Sequence, residues 1–396
     1  MTAQVDITHS TFRAWLGVAA ITASLFVFVT TELMPIGLLT PVSASLTVSV
    51  GFAGMMVTLY GISAGVGVPF IVAWTRRVNR RVLLCGILVI LALGNLFTAI
   101  SPDFGLVLAI RLIMGFAHGV FWAIGVSMAM RLVPEHQASK AAAVALSGMS
   151  VATVVGVPLG TLVESLTDWR MTFLIWSGLA ALVFVAVAAA VPSLPSTNAV
   201  PVREVFQLPL ENGRLRMVLF TVVLYVLGHF GAYTFIRPFM EQSAAVSSAL
   251  ITALLIVFGV GGAIGNFIAG NTVNRNMKTT FIVACAGLVG SLLLLLAVGD
   301  TAVGLGVAVV LWGVSFGAAN LCQVNMMLAA APDTFEAAMS LNTMGYNIAI
   351  ALGALLGGLF ANNFGVSAAV WLGIALTGAA LLSALGSHRD ITPESG

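Results

Sequence analysis

Long apolar runs recur along the whole chain, separated by short stretches that contain charged residues, proline or small polar residues. Each run is long enough for a membrane-spanning helix, which needs about 20 apolar residues. A transmembrane β-barrel is disfavoured because its strands alternate apolar and polar positions over about ten residues. The pattern predicts twelve helical spans, at residues 15–39, 51–74, 82–100, 105–130, 140–166, 171–192, 217–240, 247–270, 280–299, 303–329, 337–361 and 365–386.

Composition excludes the soluble classes of protein. The chain has 396 residues, of which 60% are hydrophobic and 8% charged, whereas soluble domains carry about 25% charged residues. The net charge of +2 is too small to indicate a nucleic-acid partner. An all-α polytopic membrane protein is therefore predicted, with the lipid bilayer as one partner.

The spans fall into two sets of six. A polar connection at residues 193–216 separates an N-terminal bundle, 1–192, from a C-terminal bundle, 217–396, and we expect this connection to be a cytoplasmic linker. Glycines recur between the sets at similar offsets, which indicates a duplicated six-helix unit. The repeated positions are Gly115 and Gly119 with Gly313 and Gly317, and Gly148, Gly156 and Gly160 with Gly345, Gly353 and Gly357.

Small residues four positions apart allow helix backbones to approach closely. The repeated glycines, and the pairs Gly61 with Gly65 and Gly261 with Gly265, therefore predict close contacts within each bundle. Parallel repeats of this kind, with a site between them near the membrane midplane, are typical of transporters.

Basic residues indicate the orientation, since cytoplasmic loops are enriched in Lys and Arg. Thirteen of the sixteen basic residues fall in loops on one side of the predicted topology. Both termini and the connection at 193–216 are therefore expected in the cytoplasm, with the chain in the inner, or plasma, membrane.

Two charges lie within predicted spans. Glu32 is flanked by apolar sequence, and an ionised carboxylate at such depth costs several kcal/mol unless it is paired or neutralised. Glu32 is thus a candidate proton carrier, or else a structural hydrogen-bonding group or a solvated residue near the outer surface. Arg111 cannot shed its charge, and Glu32 is its natural partner, with main-chain carbonyls as the alternative. Both residues are candidates for proton coupling.

Further polar residues within the spans are candidates for a substrate cavity. The imidazoles can titrate near neutral pH, but a lone histidine also packs structurally, and Arg237 can instead extend its charge to the membrane interface. Neutral amides suit an uncharged polar ligand or connect helices. The candidates are His118, His229, Tyr233, Arg237, Asn320, Gln323, Asn325, Asn342, Tyr346 and Asn347.

No catalytic, nucleotide-binding or metal-binding motif is apparent, so the chain is not expected to be an enzyme or to use a cofactor or metal. The three cysteines, Cys85, Cys285 and Cys322, lie far apart in apolar runs. This placement is typical of reduced thiols rather than of a disulfide framework.

Over nearly its whole length the chain resembles the major facilitator superfamily, in particular its twelve-span drug and sugar efflux branch of proton antiporters. Arg111 through Gly119 resembles the family's fourth-span motif, whose arginine is implicated in proton transfer. Gly148 through Gly160, with Pro158, is similar to the fifth-span antiporter motif. The Thr31–Leu39 run, Phe121-Trp122 and Trp169-Arg170 resemble sugar efflux, purine nucleoside efflux and chloramphenicol resistance members.

One loop departs from the family pattern. Residues 76–81 keep the basic residues of the family's second loop, but Arg76 stands where the family has a gating aspartate. The resemblance implies a proton-coupled exporter of a small polar or amphipathic molecule, such as a drug, sugar or nucleoside, that works as a monomer by alternating access. The alternatives are a proton symporter or facilitator for a sugar or nucleoside, and a membrane sensor that transports nothing.

Overall fold

The computed structural model describes residues 11–74, 78–195, 202–242 and 246–386. These residues are helical almost throughout, and the described ranges contain no β-strand. The helices of the N-terminal half are α1 (Thr11–Leu33), α2 (Leu39–Ser45), α3 (Val50–Ala53), α4 (Met55–Trp74), α5 (Arg80–Ile100), α6 (Phe104–Arg131), α7 (Ala138–Leu166) and α8 (Trp169–Ala190). After α9 (Val202–Glu211), the helices of the C-terminal half are α10 (Gly213–Tyr233), α11 (Ile236–Glu241), α12 (Ser248–Val298), α13 (Ala302–Ala330), α14 (Phe335–Phe364) and α15 (Val366–Gly386).

The predicted all-α membrane fold is confirmed. Among the described residues, ten helices are long and apolar enough to cross a membrane, and the bent pair Leu39–Ser45 and Val50–Val66 adds a further candidate. The helix α12 has 51 residues, which at 1.5 Å per residue is about 77 Å, more than twice the thickness of a bilayer core. It is broken at Asn276, where φ is −156° and ψ is 86°. This break lies between the predicted eighth and ninth spans.

Proline ends two of the predicted spans early. The first span was predicted to continue to residue 39, but α1 ends at Leu33 and a 3-10 helix, Met34–Gly37, follows with Pro35 in its first turn. The seventh was predicted to reach residue 240, but α10 ends at Tyr233 and α11 begins at Ile236, with Pro238 in its first turn. Proline has no N–H to donate, so the carbonyls four residues earlier, of Thr31 and Thr234, lose their helical hydrogen-bond partners.

The polar connection between the halves contains a helix that the hydropathy pattern does not predict. Residues Val202–Glu211 form α9, and α10 begins at Gly213. The Asn212 side chain caps α10 and joins it to the end of α13, because its oxygen accepts from the Leu215 N–H at 2.9 Å and its amide donates to the Ala330 carbonyl at 2.8 Å. Arg76 and Arg77 of the basic loop lie outside the described residues.

Within each half the repeated glycines lie where two helices touch. A methyl group added at Gly119 would meet the main-chain oxygen of Ala64 on α4, and one added at Gly317 would meet that of Gly262 on α12. The glycines of α7 lie in the same way against α1 and the turn that follows it, and those of α14 lie against α10. A methyl group added at Gly148 would meet the main-chain oxygen of Thr22 on α1, one at Gly160 would stand 2.7 Å from Met34 Cγ, and one at Gly353 would stand 2.6 Å from the Leu227 oxygen.

The pair Gly61 and Gly65 corrects the expectation of contacts within a bundle. A methyl group added at Gly61 would lie 2.9 Å from the main-chain oxygen of Asn347, and one added at Gly65 would lie 2.9 Å from Ile348 Cγ1. Both glycines of α4 therefore face α14 in the other half. Their counterparts Gly261 and Gly265 face α13, within their own half. The duplicated sequence thus serves two different interfaces.

Gly317→Ala tests the close contact between α12 and α13. The added methyl has no space beside the Gly262 carbonyl, and overpacking of this kind costs about 1–3 kcal/mol. We therefore expect a lower melting temperature for the detergent-purified protein. Gly178→Ala is the matched control, because nothing lies within 4 Å of its added methyl. Equal melting temperatures for the two variants would contradict the contact.

Candidate functional site

Polar residues of α6 share one helix face. Arg111, His118 and Trp122 are seven and four residues apart, spacings that return to the same side of an α-helix. Glycines on this helix allow it to approach α4, because a methyl group added at Gly115 would meet the main-chain oxygen of Tyr60. The face therefore lies against both α4 and the end of α1, where Glu32 is located.

Arg111 is fully buried, at 0% exposure, and is bound by main-chain oxygens. Its Nε donates to Met56 at 3.0 Å, its Nη1 to Thr31 at 2.9 Å, and its Nη2 to the main-chain oxygen of Glu32 at 3.3 Å. The guanidinium carbon also lies 4.3 Å from the centre of the Tyr60 ring. The expected pairing of Arg111 with the Glu32 carboxylate was therefore wrong, and carbonyls are its acceptors.

The end of α1 explains why one of these acceptors, the Thr31 carbonyl, is free. In a continuous helix the Thr31 carbonyl would accept from the N–H four residues later, but that residue is Pro35, which has none. The helix ends at Leu33, and the Arg111 guanidinium occupies the free carbonyl. Pro35 was the sequence signal that could have predicted this interaction.

The Glu32 carboxyl faces the imidazole of His118. Glu32 is 7% exposed, and its Oε2 lies 3.3 Å from His118 Nε2. The same nitrogen accepts from the Trp122 indole N–H at 2.6 Å, and His118 Nδ1 lies 3.1 Å from the Tyr60 hydroxyl. Glu32 Oε1 has no hydrogen-bond partner among the described residues. These four side chains form one network across α1, α4 and α6.

His229 lies in an aromatic cluster of the C-terminal half. Its ring stacks on Phe316 with centroids 3.6 Å apart, and its Nδ1 accepts from the Trp312 indole at 3.1 Å. Tyr233 and Phe258 stack beside it, 4.5 Å apart. His229 is only 1% exposed, and within the described ranges its Nε2 has no partner.

The amide candidates divide into two groups. Gln323 donates to Asn320 Oδ1 at 2.7 Å, and the described residues offer no partner to Gln323 Oε1 or Asn342 Oδ1. In contrast, Asn325 and Asn347 donate to carbonyls of their own helices, at 3.0 Å and 2.9 Å. Asn347 lies at the contact between α4 and α14, where a methyl added at Gly65 would be 3.5 Å from its Cβ.

All four tyrosines of the chain lie in this interior region. Tyr60 contacts His118, and Tyr233 belongs to the His229 cluster. Tyr346 packs near Phe230, with ring centroids 6.4 Å apart, and Tyr225 lies against Phe281 at 5.8 Å. Tyr60, Tyr225 and Trp122 were missed as site residues. Their signal was a phenol or indole within an apolar span, which usually needs a partner.

A second polar cluster joins the halves at the end of the helices opposite the termini. Arg237 Nη1 donates to Glu164 Oε2 at 2.8 Å and to the Gly37 carbonyl at 2.5 Å, while its Nε donates to Glu241 Oε1 at 2.7 Å. Thr40 donates to Glu241 Oε2 at 2.5 Å. We call these five residues the ion-pair cluster.

Of the two alternatives for Arg237, a cavity position or extension to the membrane interface, the structure contradicts the second. Arg237 is 6% exposed, because two carboxylates and a carbonyl hold it inside the protein. Two further polar contacts join the halves at the same end. Thr252 donates to Thr161 at 3.0 Å, and the Gly51 N–H donates to the Asn362 side chain at 3.1 Å.

Comparison with known proteins identifies related folds. A family model described as Major Facilitator Superfamily matches residues 16–337. A solved structure of a bacterial homologue of the human lysosomal transporter Spinster, inward-facing and unoccupied, matches with a TM-score of 0.72 and 13% identity, over 98% of this chain and 100% of that chain.

Two other solved structures are also similar. A mutant of the nucleoside transporter NupG matches with a TM-score of 0.76 and 13% identity, over 94% of this chain and 98% of that one. The human organic anion transporter MFSD10 matches with a TM-score of 0.66 and 18% identity, over 95% and 100%. At such identities the likeness shows the fold.

Arg111→Lys tests the carbonyl anchor. A lysine ammonium cannot reproduce the planar guanidinium that reaches three carbonyls on two helices. At least one buried carbonyl would lose its donor, and we expect the free energy of unfolding to fall by about 1–3 kcal/mol. Thermal unfolding in detergent measures the change, with the exposed Arg216→Lys as control. A variant as stable as the control would contradict the anchor.

Proposed function

Because the chain belongs to the Major Facilitator Superfamily, we propose that it is a proton-coupled secondary transporter that exports a small polar or amphipathic molecule. The proton-coupling residue is Glu32, and Arg111 holds the helices around it. The proposal extends to the inner membrane as the location, to cytoplasmic termini, and to a monomer as the working unit.

The contact between Glu32 and His118 carries the proposal. Trp122 donates to His118 Nε2, so this nitrogen acts as an acceptor and presents its lone pair. An ionised Glu32 oxygen 3.3 Å away would face that lone pair without a proton between them. A protonated carboxyl can instead share this one lone pair with the Trp122 N–H in a three-centre hydrogen bond, while His118 Nδ1–H donates to the Tyr60 oxygen. The geometry therefore favours a Glu32 that carries a proton in this conformation.

Arg111 provides a fixed positive charge beside the carrier. Its guanidinium binds the main-chain oxygens of both Thr31 and Glu32, so it moves with the segment that bears the carboxyl. When Glu32 releases its proton, the nearby charge partly compensates for the carboxylate that forms, because Coulomb interactions are strong in a low-dielectric interior. When the Glu32 carboxyl becomes ionised, it is attracted towards the Arg111 guanidinium, so proton release is coupled to the position of the Glu32 side chain.

The interior favours a neutral or cationic substrate that offers hydrogen-bond donors. Acceptor oxygens of Glu32, Gln323 and Asn342 have no partner within the described part of the chain. The Arg237 charge is paired with Glu164 and Glu241, and Arg111 is fully buried against main-chain oxygens, so neither guanidinium offers an exposed, unpaired charge to an organic anion. Hydroxyl-bearing drugs, sugars and nucleosides have the required donors.

The ion-pair cluster is proposed as the outer gate of an alternating-access cycle. With the termini in the cytoplasm, the cluster lies at the outer end and closes it, so the cavity opens inward. In the proposed cycle Glu32 loses its proton to the cytoplasm, substrate binds, and the two bundles, residues 1–192 and 217–396, rock against each other. A proton from outside then displaces the substrate.

Proteoliposome transport tests the coupling. Radiolabelled chloramphenicol, xylose and adenosine are assayed with and without a pH gradient, and we expect at least one to accumulate against the direction of proton flow. Glu32→Gln cannot exchange a proton, so gradient-driven accumulation should fall to the level of protein-free liposomes. Exchange of the same compound without a gradient should continue, because the binding cavity remains.

Glu135→Gln is the matched control for this experiment, since Glu135 is exposed and should transport normally. Full gradient-driven export by Glu32→Gln would remove Glu32 from the coupling role. Accumulation in the same direction as proton flow would establish the alternative, a symporter for a sugar or nucleoside. A membrane sensor would move none of the compounds.

Glu164→Gln tests the proposed outer gate. Loss of a charge-assisted hydrogen bond to Arg237 costs about 1.5–3 kcal/mol, which should raise the ratio of outward-open to closed molecules at least tenfold. Spin labels at Ser45→Cys and Ser248→Cys, in a background without native cysteines, report the distance across this end. Both positions are exposed.

The expected result of the label experiment is a larger population at long distance in Glu164→Gln. Glu135→Gln, at the other end of the helices, should retain the original distribution. If Glu164→Gln also retains it, the ion-pair cluster does not hold the outer end closed.

A further inference from the structure

A cavity of about 130 Å³ lies among helix ends on the side of the termini. Its polar lining comes from the start of α1, the start of α5 and the end of α6, which contribute Arg13, Arg81 and Arg131. Its apolar lining includes Leu132, Val191 and Leu194, near the ends of α6 and α8. The cavity is separate from both the Glu32 network and the ion-pair cluster.

Three arginines line this small space, and its lining residues include no aspartate or glutamate. Arg81 donates from Nη2 to the carbonyl of Ala188, and Arg131 donates from Nη2 to the carbonyl of Pro195 at 2.8 Å. A guanidinium has five N–H donors, so these bonds leave others available. Arg13 is exposed.

The three arginines that line the cavity carry the same charge. Like charges held close together repel one another. An anion in the cavity would relieve this repulsion, and a group with several oxygens would match the planar donor pattern of arginine.

We propose that the cavity lined by Arg13, Arg81 and Arg131 binds a phosphate group, and that an anionic phospholipid supplies it. The combination of basic and apolar lining favours a lipid source. Phosphate oxygens can bind the three guanidinium groups, while Leu132, Val191 and Leu194 contact the glycerol and the first methylenes of the acyl chains. Basic pockets between transmembrane helices, at the level of the headgroups, bind anionic lipids in this way.

Binding at this site would make the stability of the N-terminal half depend on the lipid composition of the membrane. The bound phosphate would bridge α1, α5 and α6, which otherwise place repelling charges side by side. Occupation therefore stabilises the folded chain by mass action, since the unfolded chain has no such cavity. This role is independent of the transported substrate and of the direction of transport.

Thermal stability of the delipidated full-length protein in detergent tests the site. Phosphatidylglycerol should raise the melting temperature in a saturable way, whereas phosphatidylcholine at the same concentration should not. Arg13→Gln should weaken the apparent affinity for phosphatidylglycerol at least tenfold, while its melting temperature in plain detergent should be no lower than that of the wild-type protein, because the exposed Arg13 charge is one of those that repel. Arg13→Lys, which keeps the charge, should restore most of the affinity.

Arg216→Gln is the matched control, since Arg216 is an exposed arginine that does not line the cavity. It should respond to phosphatidylglycerol as the wild-type protein does. Equal loss in Arg216→Gln and Arg13→Gln would show a diffuse charge effect and overturn the site. So would a wild-type response that is the same for both lipids. If inorganic phosphate raises the melting temperature and phosphatidylglycerol does not, and Arg13→Gln abolishes the effect of phosphate, the site binds phosphate but a lipid is not its source.

Discussion

Arg111 carries a charge that it cannot release and lies where water does not reach it, so the surrounding backbone has to supply its acceptors. The Thr31 carbonyl is available because Pro35 offers no N–H to it. The guanidinium then joins the end of α1 to α4 and α6, and the glycine at position 115 allows those helices to approach. The position of the Glu32 carboxyl beside His118 follows from this anchor.

Two polar clusters with different chemistry divide the work of the proposed cycle. The Glu32 network has an acceptor oxygen without a partner in the described ranges, so a proton and a substrate can both change its energy. The ion-pair cluster has matched charges, with Arg237 between Glu164 and Glu241. Saturated ion pairs favour one closed arrangement, whereas an incompletely bonded site responds to ligands. Neither cluster alone would give coupled transport.

The hydropathy pattern predicted the all-α fold and the helical segments, because apolar length is a local property of the chain. It also identified Glu32, Arg111 and His118, since polar groups stand out in apolar spans. It did not predict the acceptors of Arg111, which depend on how α1 and α4 pack. Nor did it predict that Arg237 is buried, because its partner Glu164 is 73 residues away in sequence. Interactions between distant segments are not encoded in local periodicity.

The proposed coupling depends on the protonation state of Glu32, which infrared difference spectroscopy can measure. The C=O stretching band of a protonated carboxyl is recorded for purified wild-type protein at neutral pH, for Glu32→Gln, and for the exposed Glu135→Gln. We expect a band that is present in the wild-type protein and in Glu135→Gln but absent from Glu32→Gln. A spectrum without this band in the wild-type protein, or with the same band in all three, would contradict a protonated Glu32.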